Sequence, residues 1–200
     1  MKNFFANKRY PGRFIIIGQD AGVPMVVYGA TGRSPSSLRR TFIEQGDGVY
    51  MGGVDATVRI EGNPDLLEYP ALRVFENGIV VANGNQIDRI ESLALEGEAA
   101  STLLSRALQG ETFEPDEYHT PRVTGCVVRE GDSFHAALHK VREREGSAVE
   151  AEHASFPLTL KEGSGFYIAT YNGVDERPTH PFAGSPLSVS LSYGSAKAAA

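Results

Sequence analysis

The stretch RFIIIGQDAGVPMVVYGATGR, residues 13–33, decides the fold class. It contains two β-rich runs, Arg13 to Gly18 and Val23 to Tyr28, and the Gln-Asp-Ala-Gly between them supplies a hairpin turn. Both runs are apolar at nearly every position. A strand without a polar face is one covered on both sides, so the chain is expected to open with an antiparallel hairpin inside a central sheet.

The same vocabulary recurs downstream. GVYMGGVDATVRI (48–60) and ALRVFENGIVVANG (71–84) read as strands, the second divided by an Asn-Gly turn. The period then changes. Ile87, Ile90 and Ala94, followed by Ala99, Leu103, Ala107 and Leu108, recur at spacings of three and four, which predicts helix broken near Gly97. GETFEPDEYHTPR (110–122) is polar, holds two prolines and reads as a loop. VTGCVVRE, SFHAALHKV, FPLTL and GFYIATY follow as strand candidates, and Leu187, Val189, Leu191 and Tyr193 alternate as a last strand. SFHAALHKVRERE would also fit a helical face through Phe134, Leu138 and Val141, but the Arg-Glu-Gly-Asp before it is turn-like and favours a strand. The expected class is α+β: stacked antiparallel sheets flanked by helices, in a single domain over residues 1–200 with frayed tails at 1–9 and 194–200.

Composition narrows the function. The net charge is −6, no apolar run is long enough to cross a bilayer, and the N-terminus lacks the h-region of a secretory signal. A cytoplasmic protein with no membrane partner is expected. Charge is uneven: Lys2, Lys8, Arg9, Arg13, Arg33, Arg39 and Arg40 face only Asp20 within the first forty residues, a local +6 on an acidic body. That suits a local anion site better than a nucleic-acid face. The lone Cys126 excludes an internal disulfide, and its strand-like surroundings mark it as core.

Several chemistries lack their signatures. His135 and His139 are four apart, but on a strand they would sit about 13 Å from each other, and no metal is expected. No Walker loop, dinucleotide fingerprint or nucleophile elbow occurs. What remains is YGATGRSPSSLRRTF (28–42), a glycine-turn loop that gathers Arg33, Arg39 and Arg40 with Ser34, Ser36, Ser37 and Thr41. Guanidinium forks match phosphate oxygens in pairs, and hydroxyls complete such sites. Asn83, at the end of an apolar strand, can donate and accept toward a carboxamide or purine edge; the alternative there is a helix-entry turn capped by Asn85 or Asp88.

Six short segments, in order over most of the chain, resemble the archaeal-type IMP cyclohydrolase family: YPGR (10–13), GRS (32–34), YPALRV (69–74), VVANGNQID (80–88), FEPDEYHTPR (113–122) and YIATY (167–171). The resemblance implies an N-terminal-nucleophile-hydrolase-like fold, two stacked sheets between helical layers (αββα), without a self-processed N-terminal nucleophile. It implies dehydrative closure of formamidoimidazole-carboxamide ribonucleotide to IMP, the last step of purine synthesis, with no cofactor and a purine nucleotide as the small-molecule partner. Carried over by motif, Tyr69 and Glu114 are the proton-transfer candidates. Arg33, assisted by Arg13 and one of Arg39 or Arg40, meets the phosphate or the developing oxyanion. Asn83 and the backbone at Gly84 hold the carboxamide, and Arg122 orders the loop or touches substrate. The chain departs from the family after AGSP, where a helix is expected and an alternating strand stands, so one helical layer is expected to be reduced or completed by another subunit of a homo-oligomer. A noncatalytic nucleotide-binding or assembly protein, and an amide hydrolase related by fold, are the competing readings.

Overall fold

The computed structural model describes residues 2–55, 62–91, 99–147, 149–174 and 180–194. Its frame is two antiparallel sheets. The opening hairpin forms as expected, each strand running two residues further than its apolar run: β1 (Arg13–Asp20) pairs with β2 (Val23–Ala30) from Arg13 opposite Ala30 to Asp20 opposite Val23. Ala21 and Gly22 make the turn, both at positive φ (54° and 76°), the backbone that matches the twist of a two-residue hairpin. β10 (Ser164–Ala169) pairs with the other side of β1, and β11 (Leu187–Ser190) pairs with β10. The result is a four-stranded sheet ordered β11-β10-β1-β2.

The second sheet has seven strands in chain order: β3 (Arg40–Gln45), β4 (Gly48–Gly53), β5 (Tyr69–Phe75), β6 (Gly78–Ala82), β7 (Arg122–Glu130), β8 (Ser133–Glu143) and β9 (Ala151–Leu158). SFHAALHKV is thus strand, and Glu76 and Asn77 turn β5 into β6. One expectation is corrected: the arginine-rich loop ends earlier than read, because Arg40–Gln45 is edge strand β3, whose mostly exposed residues carry no burial signal.

The two-residue period sorts the core. Val81, Val123, Val127, Ala136 and Leu138 face the four-stranded sheet and pack with Ile15, Ile17 and Ile168. Their neighbours Val80, Ala82, Cys126, Val128 and Ala137 face the opposite way, onto Ile87 and Ile90 of α4 (Ile87–Glu91) and Leu103, Leu104 and Ala107 of α5 (Ala100–Ala107). Gly125 lies where the two sheets meet closely, since an added Cβ would come within 2.7 Å of Ile17 Cδ1. Burial pushes the Cys126 thiol up to about 12, as befits a core residue.

The balance falls further toward strand than an evenly layered α+β sandwich. Among the described residues, the helices besides α4 and α5 are single turns: α1 (Lys2–Phe5), α2 (Pro35–Leu38) and α3 (Pro64–Leu67). Within the segment expected to fray, Phe4 and Phe5 pack against Tyr167 on the outer face of the small sheet. The expected helix break near Gly97 and most of the C-terminal tail lie outside the described residues. After AGSP the chain forms β11, so the first half of the alternation, Leu187 and Val189, is strand, and Leu191 and Tyr193 lie beyond its end. No helix among the described residues is long and apolar enough to cross a membrane.

Candidate functional site

Residues on or beside strands of both sheets supply polar side chains to one cleft. Gly12 begins the arrangement. Its φ of +72° and its approach to Thr170, where a Cβ would fall 2.1 Å from Oγ1, admit only glycine. The turn feeds Arg13 into β1, whose backbone N–H donates to Thr170 Oγ1 at 3.2 Å. Because side chains alternate, Arg13 shares the inward face with Tyr28, two positions from its cross-strand partner Ala30.

Arg13 is 8% exposed and forms an ion pair through Nη2 with Oε1 of Glu114, 2% exposed. Glu114 sits on the loop between α5 and β7. There, its N–H donates to Thr120 O at 2.8 Å, and Asp116 receives Thr120 N–H and Oγ1–H at 2.8 and 2.6 Å. The Thr120 proton being so committed, the Tyr171 hydroxyl donates to Thr120 Oγ1 across 2.6 Å. The loop is therefore braced against the segment just after β10, whose Thr170 also receives the Arg13 N–H.

Asn83, just beyond β6, completes the cluster. Its Nδ2 donates to Glu114 Oε1 at 2.9 Å and to Pro121 O at 3.0 Å; its Oδ1 accepts from Val123 N at 2.7 Å and Gln86 Nε2 at 3.1 Å. All four hydrogen-bonding positions of the amide are filled by protein, so Asn83 aims Glu114 and has none left for a ligand. Arg122 stands behind it, donating from Nη1 to Gln86 Oε1 at 3.0 Å and from Nε to Thr112 O at 3.0 Å. Gly84 leaves room for this, since a Cβ there would meet Arg122 Nη1 at 2.6 Å.

Arg33 reaches the same space from the turn before α2. Ser34 and Ser37 cap that turn reciprocally, and Ser37 Oγ also receives Arg33 N–H at 2.7 Å. These hydroxyls build the turn; the guanidinium is what they present. It lies 3.5 Å from the ring centroid of Tyr118 and 5.7 Å from that of Tyr10, a stacked geometry that orients the fork. Arg40 ties α2 to α3, donating to Ser37 O at 3.3 Å and Leu67 O at 3.2 Å.

These groups line a cleft of about 380 Å³, within the range of small-molecule sites, bounded by Tyr10, Arg13, Arg33, Arg40, Glu114 and Asp116 with Asn63 and Leu67 of the α3 turn opposite. Two guanidinium nitrogens here, Arg13 Nε and Arg33 Nη1, are buried without a hydrogen-bond partner. Buried donors without acceptors are costly, and an anion would satisfy both. A groove of equal volume runs along β4 and β5 by Val49, Leu72 and Arg73, but no buried carboxylate or unpaired guanidinium nitrogen lines it.

Tyr69 is fully buried beneath the cleft on β5, its hydroxyl 2.8 Å from that of Tyr28. Burial and the neighbouring phenol push Tyr28 well above its usual range. Burial also pushes Glu114 up, with Arg13 pulling it back. Burial opposes the Arg13 charge, but Glu114, Tyr69 and Tyr28 outweigh it and keep the guanidinium protonated.

Of the residues expected at the site, Arg13, Arg33, Arg40 and Glu114 line the cleft, and Tyr69 lies under it. Asn83, Gly84 and Arg122 form the support behind Glu114, and Arg39 is exposed away from the cleft. Tyr28, Tyr118 and Gln86 were not singled out from sequence. Tyr118 lies inside a quoted motif and was within reach; Tyr28 looks like any strand tyrosine. His135 and His139 point to separate partners, Glu130 at 3.0 Å and His153 at 3.4 Å. Among the described residues no group of three or more His, Cys, Asp or Glu has metal-binding geometry.

The sequence model of a family described as IMP cyclohydrolase-like protein matches residues 10–200, nearly the whole chain. The chain belongs to the IMP cyclohydrolase-like family. An IMP cyclohydrolase of Thermococcus kodakarensis is 33% identical over 82% of this chain and 74% of its own length. Those of Methanopyrus kandleri (28%, over 86% and 80%) and Haloarcula marismortui (32%, over 78% and 76%) are similarly matched. The family match takes in every residue of the cleft and its support, from Tyr10 to Tyr171.

Proposed function

We propose that this chain is an IMP cyclohydrolase of purine biosynthesis and that the cleft between Arg33 and Glu114 is where it closes the ring. Family membership and relatives near 30% identity over most of the chain support the activity. One observation supports the place: a buried carboxyl of raised pKa shares a cleft with two unpaired guanidinium nitrogens.

In the reaction the carboxamide nitrogen of the ribotide attacks the formyl carbon, forming the new C–N bond. The tetrahedral intermediate then expels the former formyl oxygen as water, which carries away one proton from the carboxamide nitrogen and one from the formamido nitrogen. Both reacting groups belong to the substrate, so the protein needs to hold two arms together and move protons. Arg33, fixed flat by Tyr118, and Arg13 through Nε hold the substrate anion or the oxyanion that forms on attack. Glu114 relays the protons, aimed by Asn83 and Arg13, and its raised pKa brings its two protonation states closer in energy at neutral pH. The Tyr69–Tyr28 pair, close enough to Arg13 to influence its charge, is the phenolic donor to the departing oxygen. Arg122, Gln86 and Gly84 serve as the frame behind Asn83.

The layering fits a reduced αββα sandwich. The α4–α5 layer covers the outer face of the seven-stranded sheet, and α1 with Phe182 lies on the outer face of the four-stranded one.

The test is the absorbance change when purified protein meets the formylated ribotide. Wild type should turn over, with Glu114→Gln and Tyr69→Phe each slowed by about 10²-fold or more. Absence of wild-type turnover, with IMP still bound, would replace catalysis with binding alone.

A further inference from the structure

Four strands end the two sheets, and three are protected against further pairing. β2 carries Pro24, β9 carries Pro157, and β11 is four residues long and follows Pro186. Proline and shortness are the usual devices that blunt an edge. β3 has neither. Its six residues, Arg-Thr-Phe-Ile-Glu-Gln, include no proline or lysine, and Phe42 and Ile43 at its centre are 44% and 40% exposed. Leu38 and Val54, also exposed, lie beside it, Val54 N–H bonding Arg39 O to extend the β3–β4 ladder. An apolar edge that no described residue covers, at the end of a continuous sheet, is a template for one more strand.

The sequence of β3 is complementary to itself. A two-fold axis perpendicular to the sheet pairs residues of equal parity, because only then do facing side chains share a side. Centring the axis on Phe42 sets Arg40 opposite Glu44, Thr41 opposite Ile43 and Arg39 opposite Gln45, with no like charges facing. Centring it on Thr41 or on Ile43 leaves both Arg40 and Glu44 without a charged partner. We propose that β3 is a self-association edge: two copies of this chain pair antiparallel through Arg40–Gln45 about an axis at Phe42, joining their seven-stranded sheets into one of fourteen. The pairing makes two Arg40–Glu44 contacts and covers six aromatic or β-branched side chains at its centre, Thr41, Phe42 and Ile43 of each copy. Arg40 lines the cleft, so each copy places its Glu44 at the rim of the other's site. This inference stands on the edge strand alone and is independent of the reaction assigned to the cleft.

The experiment is sedimentation velocity on the full chain across micromolar concentrations, with cysteine cross-linking to read the register. Wild type is expected to sediment as a dimer of the 21.6 kDa chain. Phe42→Lys, which sets two cations face to face, is expected to sediment as a monomer while keeping the wild-type circular dichroism spectrum. Phe42→Cys brings two thiols opposite each other at Cα separations of about 4.5–5.5 Å, within disulfide reach, and mild oxidation should give a covalent dimer on non-reducing gels. Ile43→Cys, whose opposite residue is Thr41, should not cross-link. A monomeric wild type, a dimer unaffected by Phe42→Lys, or cross-linking through Ile43→Cys and not Phe42→Cys would each overturn the proposal.

Discussion

Replacing Asn83 by aspartate changes one atom group and should undo the cluster that aims Glu114. The amide Nδ2 donates 2.9 Å to Glu114 Oε1 and 3.0 Å to Pro121 O, whereas Oδ1 accepts from Val123 and Gln86. Asn83→Asp keeps the accepting side and turns both donations into oxygen–oxygen contacts. Losing a bond to a charged acceptor removes about 1.5–3 kcal/mol, and losing the neutral one removes about 1. A second buried carboxylate beside the first adds repulsion, so destabilisation of about 3–5 kcal/mol is expected at pH 7. The introduced carboxyl can recover one bond by taking a proton, at about 1.4 kcal/mol for each pH unit below its own pKa. The gap to wild type should therefore narrow by pH 5. Urea unfolding at the two pH values measures this directly. Turnover should fall about 10²-fold with it, because the second carboxyl shares and holds the proton that Glu114 must move. A variant within 1 kcal/mol of wild type at pH 7, or a gap that ignores pH, would show that Asn83 does not carry Glu114.

Other expectations follow from the same geometry. Arg33→Ala should raise KM about 30- to 100-fold through loss of a charge-assisted contact, whereas Arg39→Ala, exposed and away from the cleft, should stay within about two-fold; equal losses would mean that the fork at Arg33 is not the anion ligand. Tyr118→Phe keeps the ring under Arg33 and should act like wild type, while Tyr118→Ala frees the guanidinium and should raise KM, as steady-state kinetics would show. His139 is buried and its pKa is lowered to about 4, by burial first and by His153 second. The unfolded chain takes up this proton near pH 6.5 and the folded one does not until about pH 4, so stability should fall as pH drops through that window. Between pH 7 and pH 5 this single group amounts to about 2 kcal/mol. His139→Leu should remove that part of the fall, and parallel stability curves for the two proteins would contradict the assignment.

Much of the fold was open to a reader of the sequence because its core strands announce burial. Arg13–Asp20 and Val23–Ala30 are mostly apolar and meet at an Asp-Ala-Gly turn, and the β7–β8 pair follows from two strand-like runs joined by the turn-like Arg-Glu-Gly-Asp. β3 was hidden for the opposite reason. An edge strand with both faces wet has no buried side to set a period, and its arginines looked like part of the preceding loop. At the site, Arg33, Arg13 and Glu114 were found through their motifs, but what each side chain bonds depends on strands more than 25 residues away in chain. Asn83 illustrates this: from sequence it is an amide at a strand end, and only the meeting of β6, β7 and the Glu114 loop shows that all four of its bonds point into protein. Ser34 and Ser37 likewise looked like phosphate ligands, until the turn they cap was seen.

The measurement that bears most directly on the site is a crystal structure of the chain with IMP bound. IMP should lie in the cleft, with its phosphate or purine oxygen accepting from Arg33 Nη1 or Arg13 Nε and the ring within reach of Glu114. IMP seated in the groove by Val49 and Arg73, with Arg33 and Glu114 untouched, would contradict it.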